Sequence, residues 1–94
     1  MILVDHLRAY PASMTVGLPG RLWCHMVSDL DAEELHAFAA RLGLRRAWFQ
    51  ERPKASVAHY DLTPRRRARA IGMGATIVTV RELVRRNFDR IVRR

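Results

Sequence analysis

The chain has 94 residues, and 17 Lys and Arg against 9 Asp and Glu give it a formal net charge of +8. This length predicts a single domain over residues 1–94. No apolar run approaches the roughly 20 residues of a membrane span, and the apolar start is too short for a signal peptide. A single cysteine, Cys24, excludes an internal disulfide and a cysteine-based zinc site. We therefore expect a cytoplasmic protein in which Cys24 is a small buried apolar residue.

In chain order, the first predicted element is a short buried strand at residues 2–4. Residues 10–20 contain two prolines and two glycines without a sustained period, which predicts a loop that serves as a lid over a site or as a connector. A second strand is predicted at residues 22–26. Ser28 and Asp29 then offer capping oxygens for a helix that ends at Gly43. Its predicted buried face consists of Leu35, Phe38, Ala39 and Leu42.

The second half of the chain continues the alternation of strands and helices. Strands are predicted at 45–50, carrying two aromatic residues into the core, at 56–60 and at 75–78. A second helix begins with Thr63 as cap and Pro64 as its first residue, and ends near Gly72 or Gly74. Thr79 with Glu82 predicts a capping box for a third helix that runs to about residue 92. Four apolar residues of this helix are predicted to face the core: Val80, Val84, Phe88 and Ile91.

This alternation predicts an α/β fold, namely a small layered domain with a mainly parallel sheet of four or five short strands and three helices. Polar residues follow the apolar runs at the predicted strand ends: Asp5, His25, His59 and Asp61. If the strands lie side by side, these residues converge on one cleft. His59 and Asp61 share one face of a strand because they are two positions apart. Two carboxylates and two imidazoles suit acid–base catalysis or a divalent metal, although each residue could also serve only the fold.

Basic residues supply the second functional signal, since residues 64–94 hold ten Arg against two acidic residues while residues 1–63 are neutral. Such a charge attracts polyanions or an acidic protein surface. The codon bias of a GC-rich genome, which favours arginine, would also explain it. Three arginines, Arg65 to Arg67, occupy the first turn of the second helix, where the helix dipole disfavours cations. Either Asp61 or a bound phosphate would offset them. We predict a phosphate site formed by Arg8, Thr63 and Arg66.

Two further sets of polar residues are predicted to be solvated. His36 is expected to pair with Glu33 on the surface of the first helix. On the last helix, the predicted i, i+4 pairs are Glu82 with Arg86 and Asp89 with Arg93. The two tryptophans, Trp23 and Trp48, are expected in the core rather than as stacking platforms for bases.

Several segments together resemble one family. They are Val4-Asp5 with Arg8, residues 22–29, residues 34–39, residues 48–50, residues 59–62 and residues 81–83. This pattern resembles a bacterial and phage family catalogued as domain of unknown function 4031, over nearly the whole chain. The resemblance implies no reaction, cofactor or partner. The stretch around residues 14–20 is longer than the family pattern.

The leading hypothesis is a hydrolase or phosphotransfer enzyme that acts on a nucleotide or nucleic acid. His59, oriented by Asp61, is its base or metal ligand, and His25 and Asp5 complete the set. The alternative is a non-enzymatic module that binds nucleic acid or protein through its basic residues, which are Arg65, Arg66, Arg69, Arg81, Arg85 and Arg90. A third hypothesis is a purely structural polar cluster. The sequence leaves the metal, the substrate, the strand order and the oligomeric state open.

Overall fold

A computed structural model of the protein describes residues 1–9 and 22–92, so the loop predicted at 10–20 lies outside the described residues. The strands are β1 (Ile2–Val4), β2 (Arg8–Ala9), β3 (Leu22–Ser28), β4 (Tyr60–Leu62) and β5 (Thr76–Ile77). The helices are α1 (Ala32–Arg41), α2 (Pro64–Gly72) and α3 (Val80–Val92), and a 3₁₀ turn covers Arg46–Trp48. The α/β class, the five strands and the three helices agree with the sequence prediction.

The five strands form a mixed sheet around β3, rather than the mainly parallel sheet that the alternation predicted. β3 pairs antiparallel with β1, β2 and β4, and β1 pairs parallel with β5. The segment between α1 and β4 contains a 3₁₀ turn and further turns, which lets β4 return antiparallel to β3. Alternation of strands and helices therefore identified the layers but not the strand directions.

The sheet has helices on both faces because its strands alternate their side chains. One face carries Ile2, Val4, Cys24 and Met26 into the larger core, which includes the predicted buried residues of α1. The opposite face carries Leu3 and Val27, which pack against Leu83 of α3 in a smaller core. Cys24 is fully buried in the larger core, as expected, and burial raises the pKa of its thiol to about 12. The second face is only partly covered, and it positions the candidate site.

Helix ends follow the local chemistry of the sequence. Thr63 and Thr79 accept hydrogen bonds from the backbone N–H groups three residues later, at 3.4 and 3.1 Å. The cap of α1 differs from the prediction, because Asp31 rather than Ser28 or Asp29 accepts from the third residue along, at 2.8 Å. Gly43 ends the region with φ +77°, a left-handed conformation that favours glycine. Local signals thus located all three helices.

Two of the predicted strands are wrong in place. The segment 45–50 forms the 3₁₀ turn, and Trp48 is 43% exposed rather than in the core, while Phe49 packs against the larger core. The segment 56–60 is not a strand over most of its length, since β4 begins only at Tyr60. Val57 instead packs against the smaller core from a bend. Both segments therefore contribute to the core, through Phe49, Val57 and Tyr60, although most of their length is not strand.

The buried face of α3 also differs from the prediction. Leu83 and Asn87 are buried, whereas Val84, Phe88 and Ile91 are 44%, 62% and 54% exposed. The smaller core consists of a few residues and meets α3 through Leu83, so the apolar residues on the neighbouring positions of the helix lie outside it.

The ion pairs of α3 differ as well. Glu82 pairs with Arg85 at 2.6 Å, not with Arg86 as predicted. Arg86 instead reaches Asp29 at 2.7 Å and ties α3 to the end of β3. Arg93 of the other predicted pair lies outside the described residues. In the described part of the chain, no helix combines the length and the apolar character needed to cross a membrane.

Candidate functional site

The candidate site is a row of side chains that crosses three strands on the second face of the sheet. The N–H of Asp5, just after β1, donates to the carbonyl of His25 at 3.2 Å, so this pairing extends by one residue. On the other side of β3, His25 lies directly opposite Asp61 of β4. His59 precedes Asp61 by two positions and bridges to Gln50. Cross-strand pairing therefore brings together residues that are far apart in the chain.

Asp5 is fully buried and is committed to His25. Its Oδ1 accepts the backbone N–H of His25 at 2.6 Å, and its Oδ2 lies 2.6 Å from His25 Nδ1. An ionised carboxylate only accepts hydrogen bonds, so Nδ1 carries the ring proton and Nε2 carries the lone pair. The arrangement is the carboxylate–histidine pair that orients metal-bound or catalytic imidazoles. The Nε of Arg67 donates to the Asp5 carbonyl at 2.9 Å, which accounts for one arginine of the unusual first turn.

His59 is held in the same tautomer by a different acceptor. Its Nδ1 donates to the carbonyl of Val57 at 2.6 Å, because a carbonyl can only accept. Its Nε2 lies 3.2 Å from Asp61 Oδ1, within ion-pair range. Asp61 Oδ1 is buried and has no hydrogen-bond partner among the described residues, whereas its Oδ2 accepts from Gln50 Nε2 at 2.6 Å. One oxygen of Asp61 is thus fixed in place and the other faces the imidazole without a well-formed hydrogen bond.

The two groups shift each other's titration. Burial of His59 lowers its pKa, but the Asp61 carboxylate, the Val57 carbonyl and the charge of Asp5 outweigh burial, so the pKa of His59 is raised from 6.5. Burial raises the pKa of Asp61, but His59, Gln50 and His25 outweigh it, so the pKa of Asp61 is lowered from 3.8. The charged form of each group is therefore favoured by the other.

Three of these residues form a geometry that suits a metal ion. One ligand atom from each of His25, His59 and Asp61 lies within 4.8 Å of the others. The imidazole rings of the two histidines meet edge-on, with centroids 5.0 Å apart. Zinc bonds of about 2.0–2.2 Å place tetrahedral ligand atoms roughly 3.3 Å apart, and His59 and Asp61 already lie at that separation. Two imidazoles and a carboxylate suit zinc, iron or manganese, with coordination positions left for water or substrate.

Two of the cavities lined by the described residues border this cluster. The larger, about 570 Å³, is named the aromatic cavity, and its lining includes Trp23, Trp48, Phe49, Gln50, Lys54, Asp61, Thr63 and Arg66. The smaller, about 380 Å³, is named the helix cavity, and its lining includes His25, Lys54, Val57, His59, Val80 and Leu83. Lys54 lines both. A ligand that reaches the cluster can therefore extend into either cavity, and in both it lies near the Lys54 ammonium.

The other predicted site residues are spread more widely. Thr63 and Arg66 line the aromatic cavity with Asp61, but Arg8 lies exposed on β2. The residues of the alternative nucleic-acid surface divide by environment: Arg65, Arg69, Arg81 and Arg85 are exposed and Arg90 is half-buried. Arg85 and Arg90 bond to Glu82 and Asn87 of their own helix.

His36 is placed on the opposite face of the sheet. Its Nδ1 lies 2.8 Å from the Tyr60 hydroxyl and its ring meets Phe49 edge-on at 4.5 Å, so the predicted surface pair with Glu33 is wrong. Burial, aided by the charge of Arg46, lowers the pKa of His36. Tyr60 points away from its neighbour Asp61, as strand alternation requires. His36 is therefore separate from the candidate site.

Sequence reasoning missed three residues of the site: Trp48, Gln50 and Lys54. Trp48 was expected in the core, Gln50 was expected only as the end of the predicted strand 45–50, and Lys54 was given no functional role. The available signal was Gln50, a polar residue directly after an aromatic pair and opposite His59 in the sheet. Only the pairing of Gln50 with His59 in the structure shows that Gln50 lies at the candidate site.

The fold and the cluster define a small mixed-sheet α/β protein with a preorganised two-histidine, one-carboxylate site. The chain belongs to the family described as "Protein of unknown function (DUF4031)", whose model matches residues 2–90. The resemblance seen in the sequence is therefore confirmed. Comparisons with curated proteins and with solved structures give no significant match.

Proposed function

We propose that this protein is a metal-assisted hydrolase of phosphate esters, with His25, His59 and Asp61 as the metal ligands. The observation that carries the proposal is the convergence of three ligand atoms within 4.8 Å while each histidine uses Nδ1 for an acceptor of its own. Nε2 is the remaining nitrogen of each ring, and an ion that binds at Nε2 of His59 would displace the proton that Asp61 favours there. Asp5 is a positioning residue, since it acts through His25.

A divalent ion at this position would supply a nucleophile by lowering the pKa of a bound water, and it would polarise a phosphoryl oxygen. Hydrolysis would join the water oxygen to phosphorus, break the ester P–O bond and pass a proton of that water to the departing alkoxide. Gln50 holds Asp61 in place through the 2.6 Å hydrogen bond. Lys54 and Arg66 line the cavities that border the cluster, and their charges favour a phosphate over a neutral substrate.

The test is metal binding by titration calorimetry with Zn²⁺ and Mn²⁺, beside hydrolysis of p-nitrophenyl phosphate and bis-p-nitrophenyl phosphate. We expect one tightly bound ion per chain and an affinity loss of about 100-fold or more in His25→Ala, His59→Ala and Asp61→Asn. His6→Ala and Glu33→Gln are matched controls because both side chains are exposed and outside the cluster. They should bind as the wild type does.

The outcomes separate three explanations. Metal binding with hydrolysis that a chelator abolishes supports the proposal. Hydrolysis that survives the chelator but is lost in His25→Ala would replace the metal by general-base catalysis through the Asp5–His25 pair. Absence of both stoichiometric metal and hydrolysis would reduce the cluster to a structural role.

Binding of nucleic acid without chemistry is a second candidate, and the exposure of Arg65, Arg69 and Arg81 on α2 and α3 favours it. None of these three forms a salt bridge within residues 1–9 and 22–92. A binder of this kind loses affinity steeply as salt rises, with a slope set by the number of phosphates contacted. The triple change of these arginines to Gln should flatten that slope while metal binding is unchanged. If neither DNA nor RNA binds at low salt, this candidate is wrong.

A further inference from the structure

The aromatic cavity has features that the proposed chemistry at the cluster does not require. Trp48 presents 43% of its surface to solvent from the 3₁₀ turn, although burial of an indole is strongly favourable. The guanidinium carbon of Arg66 lies 5.4 Å from the centroid of the Trp48 ring, and that of Arg45 lies 5.9 Å away. The Trp48 indole is thus partly exposed at the cavity, with two guanidinium groups beside its ring.

The cavity is also connected to the cluster. Asp61 lines it, and Gln50 lines it while donating to Asp61 Oδ2 at 2.6 Å. Its volume of about 570 Å³ lies within the range of roughly 300–1,000 Å³ that small-molecule sites have. A ligand that lies against Trp48 can therefore place another of its groups at Asp61.

We propose that the aromatic cavity binds the base of a nucleotide, stacked on Trp48, with its phosphate at the His25–His59–Asp61 cluster. This inference rests on the proposed function and names its substrate class. An indole stacks on any base because every base has a π-face. Arg66 and Lys54 supply the positive charge that the phosphate needs along the same wall.

Other phosphate esters fit this cavity less well. A sugar phosphate has no planar group to lie against the exposed part of the Trp48 indole. A phospholipid needs a continuous apolar channel, whereas this cavity includes Gln50, Lys54, Asp61, Thr63 and Arg66 in its lining. A nucleotide matches both the aromatic part and the charged part. The same chemistry is offered by a free nucleotide and by the end of a nucleic-acid strand.

The test compares binding of AMP and ribose 5-phosphate, which differ in the base. Titration calorimetry is carried out with a chelator present, so that no metal-dependent turnover occurs. We expect the wild type to bind AMP at least about tenfold more tightly than ribose 5-phosphate. Trp48→Ala should reduce that ratio to about one, and Trp48→Phe should retain most of it. Phe88→Ala is the matched control, because this aromatic residue is 62% exposed but lies outside the aromatic cavity.

Each outcome is decisive. Equal affinity for AMP and ribose 5-phosphate, an unchanged ratio in Trp48→Ala, or no binding of AMP would overturn the inference. Because the measurement is made without metal, its result does not depend on whether the proposed ion binds. Zn²⁺ binding by Trp48→Ala, unchanged from the wild type, shows that the cluster is intact. A single-stranded oligonucleotide with a terminal phosphate, titrated beside AMP, identifies which source of nucleotide binds more tightly.

Discussion

Replacing Asp5 by asparagine separates the role of its charge from the role of its shape. The backbone N–H of His25 is a fixed donor to Asp5 Oδ1, so the amide oxygen of the substituted side chain must face it. The amide NH₂ group then faces His25 Nδ1, where Asp5 Oδ2 lies 2.6 Å away in the wild type. Two donors cannot share that contact, so the ring proton moves from Nδ1 to Nε2. The lone pair is then lost from the nitrogen that is placed to bind a metal or a proton.

The magnitude follows from two hydrogen bonds and one tautomer. Bonds to a charged group contribute about 1.5–3 kcal/mol and neutral ones about 1, so Asp5→Asn should cost about 2 kcal/mol of stability. In a domain of this size each kcal/mol lowers Tm by about 4–8 °C. Loss of an orienting carboxylate reduces metal affinity by about 10–100-fold, equivalent to about 1.4–2.7 kcal/mol.

The assay joins three measurements on Asp5→Asn and on the surface control Glu33→Gln. Urea denaturation gives the stability, calorimetry gives the Zn²⁺ affinity, and long-range ¹H–¹⁵N NMR gives the tautomer of His25. A merely structural Asp5 would lower stability and leave the affinity of the folded protein unchanged. Wild-type Zn²⁺ affinity in Asp5→Asn, or a proton still on Nδ1, would refute the reasoning.

Three other changes test the fold. Leu83→Ala should lower the free energy of unfolding by about 2–5 kcal/mol, because the Leu83 side chain is 2% exposed in the smaller core. Val84 is 44% exposed, so Val84→Ala should change the free energy of unfolding by less than about 0.5 kcal/mol. Equal losses in urea denaturation would contradict the described buried face of α3. Thr79→Ala should cost about 1 kcal/mol by removing the N-cap of α3, and an unchanged midpoint would argue against that cap. Burial raises the pKa of Asp29, but the N-terminal ammonium and Arg86 outweigh burial and lower the pKa from 3.8. The stabilising effect of the Asp29 carboxylate is therefore fully present above pH 3.8 and is lost as the pH falls through the lowered pKa. Asp29→Asn should be less stable than the wild type at neutral pH but not in strong acid, as urea denaturation at both pH values would show.

Local signals in the sequence predicted the helices well. Thr63 and Thr79 provide the predicted side-chain oxygens at the starts of α2 and α3, and the buried face of α1 follows its apolar spacing, although its cap is Asp31 rather than Ser28 or Asp29. Strand direction could not be predicted, because it depends on the turns between α1 and β4 rather than on either element. The predicted buried face of α3 was wrong because it too depends on the neighbouring elements. Phe88 and Ile91 have the right spacing for a core face, but the smaller core meets α3 at Leu83 and leaves both of them exposed.

The polar residues of the candidate site were expected to meet, but the structure brings them together by a different geometry from the one predicted. Strand ends in a parallel sheet were expected to bring the polar residues together, yet β3 continues past His25 to Ser28 and runs antiparallel to both β1 and β4. Asp5, His25 and Asp61 meet because they lie opposite one another across neighbouring strands. Trp48 could not be identified as a site residue, since an aromatic residue in an apolar segment is more often buried.

The row from Asp5 through His25 to Asp61 depends on the pairing of β3 with both β1 and β4. A form of the sheet in which either pairing is open does not retain it, because Asp5 follows β1, His25 lies in β3 and Asp61 lies in β4. Occupancy by an ion would consequently resist unfolding of the entire chain rather than of one loop, by about 2.7 kcal/mol when the free ion exceeds its dissociation constant a hundredfold. Thermal melting in graded metal concentrations would thus report the occupied fraction of the site without any knowledge of the substrate.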